Sequence, residues 1–280
     1  MSVSTDASSN TSRLTQVFER CKQQGRSALV SYLTAGDPDI ETSKELLLAL
    51  AEESDILEIG MPFSDPMADG PVIQAASERA LAAGTHIADV FELAAIVRAA
   101  NPDLGIVLMG YANVPYAMGF DRFAQRAKAA GVDGVLIVDI PPEEGQVCDT
   151  ALNDNGLDRI LLLSPTSTDE RIQLACDYGS GFIYYVSLTG ITGADMGNMQ
   201  TIHEKVNHIK QISGDMPVCV GFGVKTPEQA AQVAQFSDGV VVGSHFVAHI
   251  AAASDSGSDK TTIRAALAAS AANMRKAVES

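Results

Sequence analysis

One acidic side chain stands inside an apolar run in the first quarter of the chain. Glu58 lies between Leu57 and Ile59 in the segment DILEIG, residues 55–60. Burying an unpaired carboxylate is costly, so such a glutamate is salt-bridged, protonated or functional. A carboxyl group with a pKa raised by apolar surroundings can deliver a proton near neutral pH. Glu58 is therefore the first candidate for acid–base chemistry, with a structural salt bridge as the alternative.

A second carboxylate follows eleven residues later. Asp69 lies in a loop rich in proline and apolar side chains. If both carboxylates reach the same rim of a sheet, one can transfer protons while the other holds a positive or N–H-bearing part of a substrate. Because Asp69 precedes Gly70 and Pro71, it is alternatively the N-cap of a helix.

Glycines near the end of the chain suggest a site for an anion. They lie in GFGVKTPEQ (221–229) and GSHFV (243–247), each directly after a predicted strand. Backbone N–H groups at Gly223, Gly243 and Ser244, with a helix N-terminus, can cradle a phosphate. The alternative is a pair of tight turns without a ligand.

A third glycine-containing segment, YVSLTGITGADMGNM (185–199), is expected to be a mobile lid over the same rim. Gly193 could add an N–H group to the phosphate site. Tyr184 comes just before this segment. A tyrosine there is usually core packing, but it can also place its hydroxyl beside Glu58.

The elements that must position these residues alternate between strand and helix. Most of the strand candidates are continuous apolar runs, as expected when both faces are covered. They are residues 27–35, 55–60, 104–110, 134–140, 159–165, 181–187, 216–222 and 238–244. Alternation of this kind predicts parallel βαβ units. Eight units favour an α/β fold of the (β/α)₈ TIM-barrel type, whose active site lies at the carboxyl ends of the strands. An open doubly wound sheet is the structural alternative, but no GxGxxG follows the first strand.

The chain is expected to form one barrel domain, residues 13–280, after a disordered polar leader, residues 1–12. Its 280 residues suit a single barrel of about 250. An extra helix over residues 13–24 precedes the first strand, and a short phosphate-site helix follows the eighth. The interior of the chain shows no domain boundary.

Composition excludes several partners. A net charge of −16 repels nucleic acids and anionic membranes. No apolar run reaches the roughly 18 residues of a membrane span, and the first residues lack the apolar core of a signal peptide. Four cysteines that are scattered along the sequence fit a reducing compartment, so we expect a cytoplasmic protein.

Two kinds of chemistry lack their residues. The strand candidates carry no lysine, since Lys225 lies in a loop, and this argues against a Schiff-base aldolase. His245 and His249 form an i,i+4 pair without a nearby carboxylate motif, and we place both on the short helix after the eighth strand. No catalytic metal is therefore expected.

The string LEIGMPFSDPMADGP (57–71) closely resembles the signature of the tryptophan synthase α subunit family. Other segments agree in the same order: YLTAGDP, MGYANVPY, GVDGVLIVDIPPEE, YYVSLTGITGA, GFGVKTPEQ and the GS at 243–244. The likeness runs from about residue 13 to the C-terminus. Because several separate loops agree, it is highly specific.

The resemblance implies a lyase of tryptophan biosynthesis, which cleaves indole-3-glycerol phosphate to indole and glyceraldehyde 3-phosphate. Glu58 matches the family's acid/base and Asp69 the carboxylate that hydrogen-bonds the indole N–H. The matched indole contacts are Tyr32, Met109, Tyr184 and Phe222. The matched phosphate contacts are Gly193, Gly223, Gly243 and Ser244. Thr192 matches a lid threonine that meets the Asp69 loop on closure.

The resemblance also implies a partner and leaves alternatives. It implies a β subunit that carries pyridoxal phosphate, in an αββα heterotetramer, and no cofactor in this chain. Another phosphate-binding barrel, a sugar-phosphate epimerase or indole-glycerol-phosphate synthase, would need a metal site or a strand lysine. A barrel kept mainly as an allosteric activator of the β subunit is the other alternative, against which Glu58 and Asp69 argue. Gly110, where a bulkier residue is often seen, predicts a slightly different indole pocket.

Overall fold

The computed structural model describes residues 12–187, 199–221 and 223–280. Nine parallel strands lie in these ranges: β1 (Ala28–Thr34), β2 (Ile56–Gly60), β3 (Gly105–Gly110), β4 (Gly134–Ile137), β5 (Asp158–Arg159), β6 (Leu161–Leu163), β7 (Ile183–Val186), β8 (Val218–Gly221) and β9 (Gly239–Val242). The helices are α1 (Arg13–Gln23), α2 (Ile40–Glu53), α3 (Pro71–Ala82), α4 (Ile87–Ala100), α5 (Asn113–Met118), α6 (Phe120–Ala129), α7 (Gln146–Asp154), α8 (Asp169–Tyr178), α9 (Met199–Ser213), α10 (Pro227–Ala234), α11 (Ser244–Asp255) and α12 (Lys260–Val278). A 3-10 turn spans Pro142–Glu144.

The strands form a TIM barrel, as predicted, rather than an open sheet. Their order is β5-β4-β3-β2-β1-β9-β8-β7-β6. The two outermost strands of that order, β5 and β6, are separated in the chain by Ile160 alone, so the sheet closes on itself. The backbone N–H of Ile160 donates to the carbonyl of Val135 at 3.0 Å, which carries the β4 pairing across the junction.

The fifth predicted strand, residues 159–165, therefore differs from the structure. It is divided in two because its halves pair with different neighbours. β5 pairs with β4, whereas β6 pairs with β7. Sequence alone does not contain this division, because the neighbour that each half pairs with is decided only when the sheet closes. The other strands are found where they were predicted, with ends that differ by up to three residues.

Helix α1 lies against the amino ends of the strands. Its N-cap is Ser12, whose hydroxyl accepts from the N–H of Thr15. The side chain of the fully buried Leu14 lies where a side chain at Gly105, Gly134 or Gly181 would have to be. Glycine at these positions therefore makes room for the α1 side chain that fills the bottom of the barrel.

The register of the strands decides which side chains face the barrel interior. Residues that pair across parallel strands point to the same face of the sheet. Tyr32 of β1 pairs with Glu58 of β2, and Glu58 pairs with Val107 of β3. Tyr32, Glu58 and Val107 thus form one inward-facing layer. Gly60 and Met109 form the next layer towards the carboxyl ends of the strands.

The helices cover the outside of the barrel, with α12 packed on α2, α10 and α11. In the described ranges no single helix has the length and apolar character needed to cross a membrane. The pair α3 and α4, bent by 105° between them, passes that test only when the two helices are taken together.

Candidate active site

Glu58 is buried in the middle of β2, with 1% of its surface exposed. Among the described residues neither carboxylate oxygen has a hydrogen-bond partner. The alternative of a salt bridge that holds Glu58 in place is therefore wrong among the residues that the structure describes. A carboxylate in that situation loses its hydration without a replacement, which disfavours the charged form.

The environment of Glu58 raises the pKa of its carboxyl group to about 8. Burial is the larger cause, and the negative charge of Asp69 is the smaller one. Both act in the same direction, since each makes ionisation of Glu58 less favourable. Glu58 consequently holds its proton at neutral pH, as a general acid must.

Asp69 lies in the loop that joins β2 to α3, with 6% of its surface exposed. The hydroxyl of Tyr111 donates to its Oδ2 atom at 3.1 Å. The same hydroxyl accepts the backbone N–H of Ala68 at 3.0 Å, so Tyr111 holds both the loop and the carboxylate. The N-cap of α3 is Gly70, without a side-chain cap, so the N-cap alternative for Asp69 is wrong.

Asp69 is ionised under conditions in which Glu58 is not. Burial raises the pKa of Asp69 to about 6, and the hydrogen bond from Tyr111 opposes that rise. Between pH 6 and pH 8 the site thus contains one protonated and one charged carboxyl group. Two carboxyl groups with pKa values driven apart by their surroundings can serve as acid and as electrostatic partner.

Two tyrosines reach the same layer because glycines make room for them. A side chain at Gly60 would have its Cβ atom 2.2 Å from the hydroxyl oxygen of Tyr32, and one at Gly221 would be 2.6 Å from that of Tyr184. Burial raises the pKa of both tyrosines, with Asp69 the next cause for Tyr32 and Glu58 the next cause for Tyr184. Both predicted contact residues therefore lie close to the carboxyl pair.

Met109 is buried and shares the inward layer of Gly60, as its predicted indole contact requires. Gly110 follows it and points away from the barrel interior. A side chain there would meet the Cε atom of Met61 at 2.7 Å. The prediction that Gly110 alters the indole pocket is therefore wrong, since the space it leaves is filled by Met61 on the outer side of the strand.

The three described members of the predicted phosphate site lie at the ends of neighbouring strands. Gly223 follows β8 with φ +101°, a conformation that other residues rarely adopt. Gly243 follows β9, and a Cβ atom there would lie 3.3 Å from the Cβ of Tyr32. Ser244 begins α11, whose N-cap, Gly243, supplies no side-chain cap. The first N–H groups of this helix thus lack the side-chain acceptor that caps five other helices, among them α10.

Three of the predicted site residues, Phe222, Thr192 and Gly193, lie outside the described residues, as does most of the predicted lid. Among those that are described, no group of three or more His, Cys, Asp or Glu side chains is placed to hold a metal ion. His245 and His249 lie on α11, as predicted.

A polar cavity of about 730 Å³ lies at the other end of the barrel, beside Arg26, Asp55 and Arg275. Both arginines are paired with Asp55, which precedes β2. This cavity is far from the carboxyl ends of the strands, and because Arg275 also pairs with Glu279, its two arginines face two carboxylates. The candidate active site is therefore the carboxyl pair and not this cavity.

Tyr111, Gly60 and Gly221 are parts of the site that the sequence analysis did not single out. The signal for the glycines was available, because both end a strand on its inward face. Tyr111 offered no comparable signal, since its partner Asp69 lies 42 residues away. Together the fold and the site define a TIM-barrel protein with two buried carboxyl groups of raised pKa towards the carboxyl ends of its strands.

Comparison with known proteins gives the family. The family model described as tryptophan synthase alpha chain matches residues 18–279. An alpha chain from Zymomonas mobilis is 49% identical over 240 residues, 85% of this chain and 87% of the relative. One from Marinobacter nauticus is 46% identical over 270 residues, 96% of this chain and 98% of the relative.

Solved structures agree. Tryptophan synthase subunit alpha from Legionella pneumophila superposes with a TM-score of 0.88 at 39% identity, over 96% of this chain and 98% of that one. Tryptophan synthase from M. tuberculosis, in an aminoacrylate-bound form, gives 0.84 at 36% identity, over 96% of this chain and 100% of that one. The chain belongs to the tryptophan synthase alpha chain family, whose α reaction is the lyase step on indole-3-glycerol phosphate.

Proposed function

We propose that Glu58 and Asp69 carry out the carbon–carbon cleavage of indole-3-glycerol phosphate in this enzyme of tryptophan biosynthesis. The observation that carries the assignment is the unpartnered, buried carboxyl group of Glu58 beside the charged Asp69. Cleavage requires a proton on carbon, which water delivers poorly at neutral pH. A carboxylic acid held neutral in an apolar strand supplies that proton.

One carboxyl group, that of Glu58, accounts for both proton transfers in the cleavage. Glu58 protonates C3 of the indole ring, which gives an indolenine cation. The bond from C3 to the glycerol phosphate side chain then breaks, and its electron pair restores the indole ring. The adjacent side-chain hydroxyl loses its proton as it becomes the aldehyde of glyceraldehyde 3-phosphate, and the Glu58 carboxylate takes up that proton. The acid is thereby regenerated for the next turnover.

Asp69 acts on the nitrogen side of the ring. Its carboxylate accepts the indole N–H and stabilises the positive charge that develops when C3 is protonated. The hydrogen bond from Tyr111 restricts the orientation of the carboxylate. An interaction that strengthens as charge develops lowers the activation free energy of the cleavage reaction, whereas an equally strong interaction with the substrate would not.

The phosphate group is held away from the reacting bond. Gly223, Gly243 and Ser244 present backbone N–H groups, and the N-terminus of α11 adds its dipole. We assign Phe222, Tyr32, Met109 and Tyr184 to the ring, and Gly193 and Thr192 to closure over the phosphate. Binding energy from the remote phosphate orients the ring against Glu58.

The two carboxyl groups predict a bell-shaped pH dependence of kcat/KM. Activity should fall as pH rises above about 8, because Glu58 loses the proton it must donate. It should also fall as pH drops below about 6, because Asp69 becomes neutral. Initial rates of indole release between pH 5 and 9 measure both limbs. The affinity for inorganic phosphate, measured over the same pH range, corrects for the ionisation of the substrate's phosphate group. Activity that rises above about pH 8 or below about pH 6 would contradict the assignment.

The partner of an alpha chain is a tryptophan synthase β subunit. We propose that the pair assembles as an αββα heterotetramer in the cytoplasm, that pyridoxal phosphate is held by the β subunit, and that this chain holds no cofactor.

In the described ranges, large apolar side chains that are more than half exposed follow three adjacent strands: Met67 (75%), Tyr116 (77%) and Val147 (68%), after β2, β3 and β4. A sector of exposed apolar side chains on one rim fits a protein interface.

Changing Tyr116 to glutamate is expected to weaken β-subunit binding by about 30-fold, the effect of losing an aromatic hot spot of about 2 kcal/mol. The rate of the free subunit should stay unchanged, because the side chain of Tyr116 is exposed whereas both carboxyl groups are buried. Steady-state cleavage with increasing β subunit measures both quantities. Tyr178→Glu is the matched control, since Tyr178 is an exposed tyrosine at the end of α8. An equal loss of β-subunit binding in Tyr116→Glu and Tyr178→Glu would contradict the proposed interface.

A further inference from the structure

The proposed phosphate cradle is built from two separate backbone segments, and something must keep them aligned. One is the turn from Gly223 to Thr226 after β8, and the other is the N-terminus of α11 after β9. Gln229 holds the turn from the α10 side, because its Oε1 atom accepts the N–H of Lys225 at 2.7 Å. Gln229 belongs to α10, so it does not connect the turn to α11.

His245 makes that connection. It is the second residue of α11, and its half-buried ring lies close enough to the backbone carbonyl of Lys225 in the turn for that carbonyl to raise the pKa of His245, against the larger lowering caused by burial. Its Nε2 atom lies 2.7 Å from the hydroxyl oxygen of Ser270 on α12. One ring therefore joins the turn, the N-terminus of α11 and the helix behind both.

A neutral imidazole suits these two partners. A carbonyl requires an N–H donor, which leaves Nε2 to accept the hydroxyl hydrogen of Ser270. Burial lowers the pKa of His245, and the ring of His249, 4.6 Å away between centroids, lowers it further. The ring thus offers one donor and one acceptor, each of which has a partner.

We propose that His245 is a positioning residue for phosphate recognition, which holds the Gly223–Thr226 turn in register with the N-terminus of α11. The inference rests on the proposed function for the identity of the phosphate-bearing substrate. His245 itself does not contact the reacting atoms. Its role is to keep the N–H groups of two loops aimed at one anion, and geometry of this kind determines affinity for a fixed ligand.

The test compares His245→Ala, His245→Asn and His249→Ala in the full chain. Binding of inorganic phosphate and of glycerol 3-phosphate is followed by ³¹P NMR titration, which needs no turnover. His245→Ala should weaken both by about tenfold and raise KM for indole-3-glycerol phosphate equally, with kcat within about twofold, as expected for one lost hydrogen bond between loops. Asparagine, which retains a donor and an acceptor, should restore most of the affinity. His249→Ala, a change on the next turn of α11, should match wild type.

Unchanged phosphate affinity in His245→Ala would overturn the inference. The inference would also be overturned if kcat fell as much as phosphate affinity in His245→Ala and His245→Asn restored neither. A general loss of structure would then explain the effect. If His245→Ala binds phosphate more weakly than wild type but wild type releases no indole, the proposed function fails while the positioning role stands. If indole is released normally and His245→Ala binds phosphate like wild type, only the positioning role fails.

Discussion

Replacing Glu58 with glutamine is expected to lower kcat for the cleavage of indole-3-glycerol phosphate by about 10²-fold to 10⁴-fold, the usual contribution of a positioned acid. Glutamine has the shape of the protonated acid but cannot donate a proton to carbon. Phosphate affinity should be unaffected, since Glu58 lies in the β2 layer and the cradle follows β8 and β9. The loss should therefore appear in kcat and not in KM.

Indole release in a single-turnover assay measures this effect without interference from product release. Glu78→Gln on the exposed face of α3 is the matched control, because it makes the same chemical change outside the site. Full activity in Glu58→Gln would remove the proposed role of Glu58. Loss of activity in both variants would point to a general effect of the substitution.

The same variant carries a stability signature with a definite sign. In the folded protein the pKa of Glu58 is about 8, against an ordinary value of 4.5. Between these two values the unfolded chain binds fewer protons at this residue than the folded one, so wild type loses stability as pH rises. Glu58→Gln should therefore gain stability over wild type from pH 4.5 to pH 8, as measured by urea unfolding. A difference independent of pH would mean that Glu58 is not buried as a neutral acid.

Replacing Asp69 with asparagine is expected to lower kcat by about 10²-fold to 10³-fold, the typical effect of removing one group that stabilises developing charge. Asparagine retains a carbonyl that can accept the indole N–H, but it has no negative charge to offset the indolenine cation. The loss should again fall mainly on kcat, because the charge it opposes exists only during the reaction.

Asp65→Asn provides the control for this second effect. Asp65 lies in the same loop, four residues earlier, but it is exposed and accepts from the hydroxyl of its neighbour Ser64 at 2.6 Å. Steady-state rates of both variants at pH 7 make the comparison. If the two variants lost activity equally, the net charge of the loop would matter rather than the carboxylate beside Glu58.

The sequence predicted the position of Glu58 in a buried strand better than the geometry around it. Glu58 could be found because a charged residue in an apolar strand violates the usual pattern of burial. The barrel could be predicted from the strand–helix alternation. The break at Ile160 could not, because it depends on which strand each half meets when the sheet closes. Local hydrophobicity contains no information about that choice.

Tyr111 and Gly110 show the same limit within a single strand end. Their side-chain directions alternate, so Tyr111 points towards Asp69 while the space at Gly110 is occupied by Met61. Motif likeness drew attention to Gly110, yet the residue that contacts the site is its neighbour. One residue of register separates a hydrogen bond to the carboxylate from a contact on the outer face of the sheet.

The protonation state of Glu58 in the free subunit is the most direct test of the account. A ¹³C NMR pH titration of protein with labelled glutamate side chains, compared with Glu58→Gln to assign the signal, reports that carboxyl group alone. The structure predicts a titration with a midpoint near pH 8, so that the acid is protonated at pH 7. A midpoint near the ordinary value of 4.5 would contradict the account, because Glu58 would then have no proton to give.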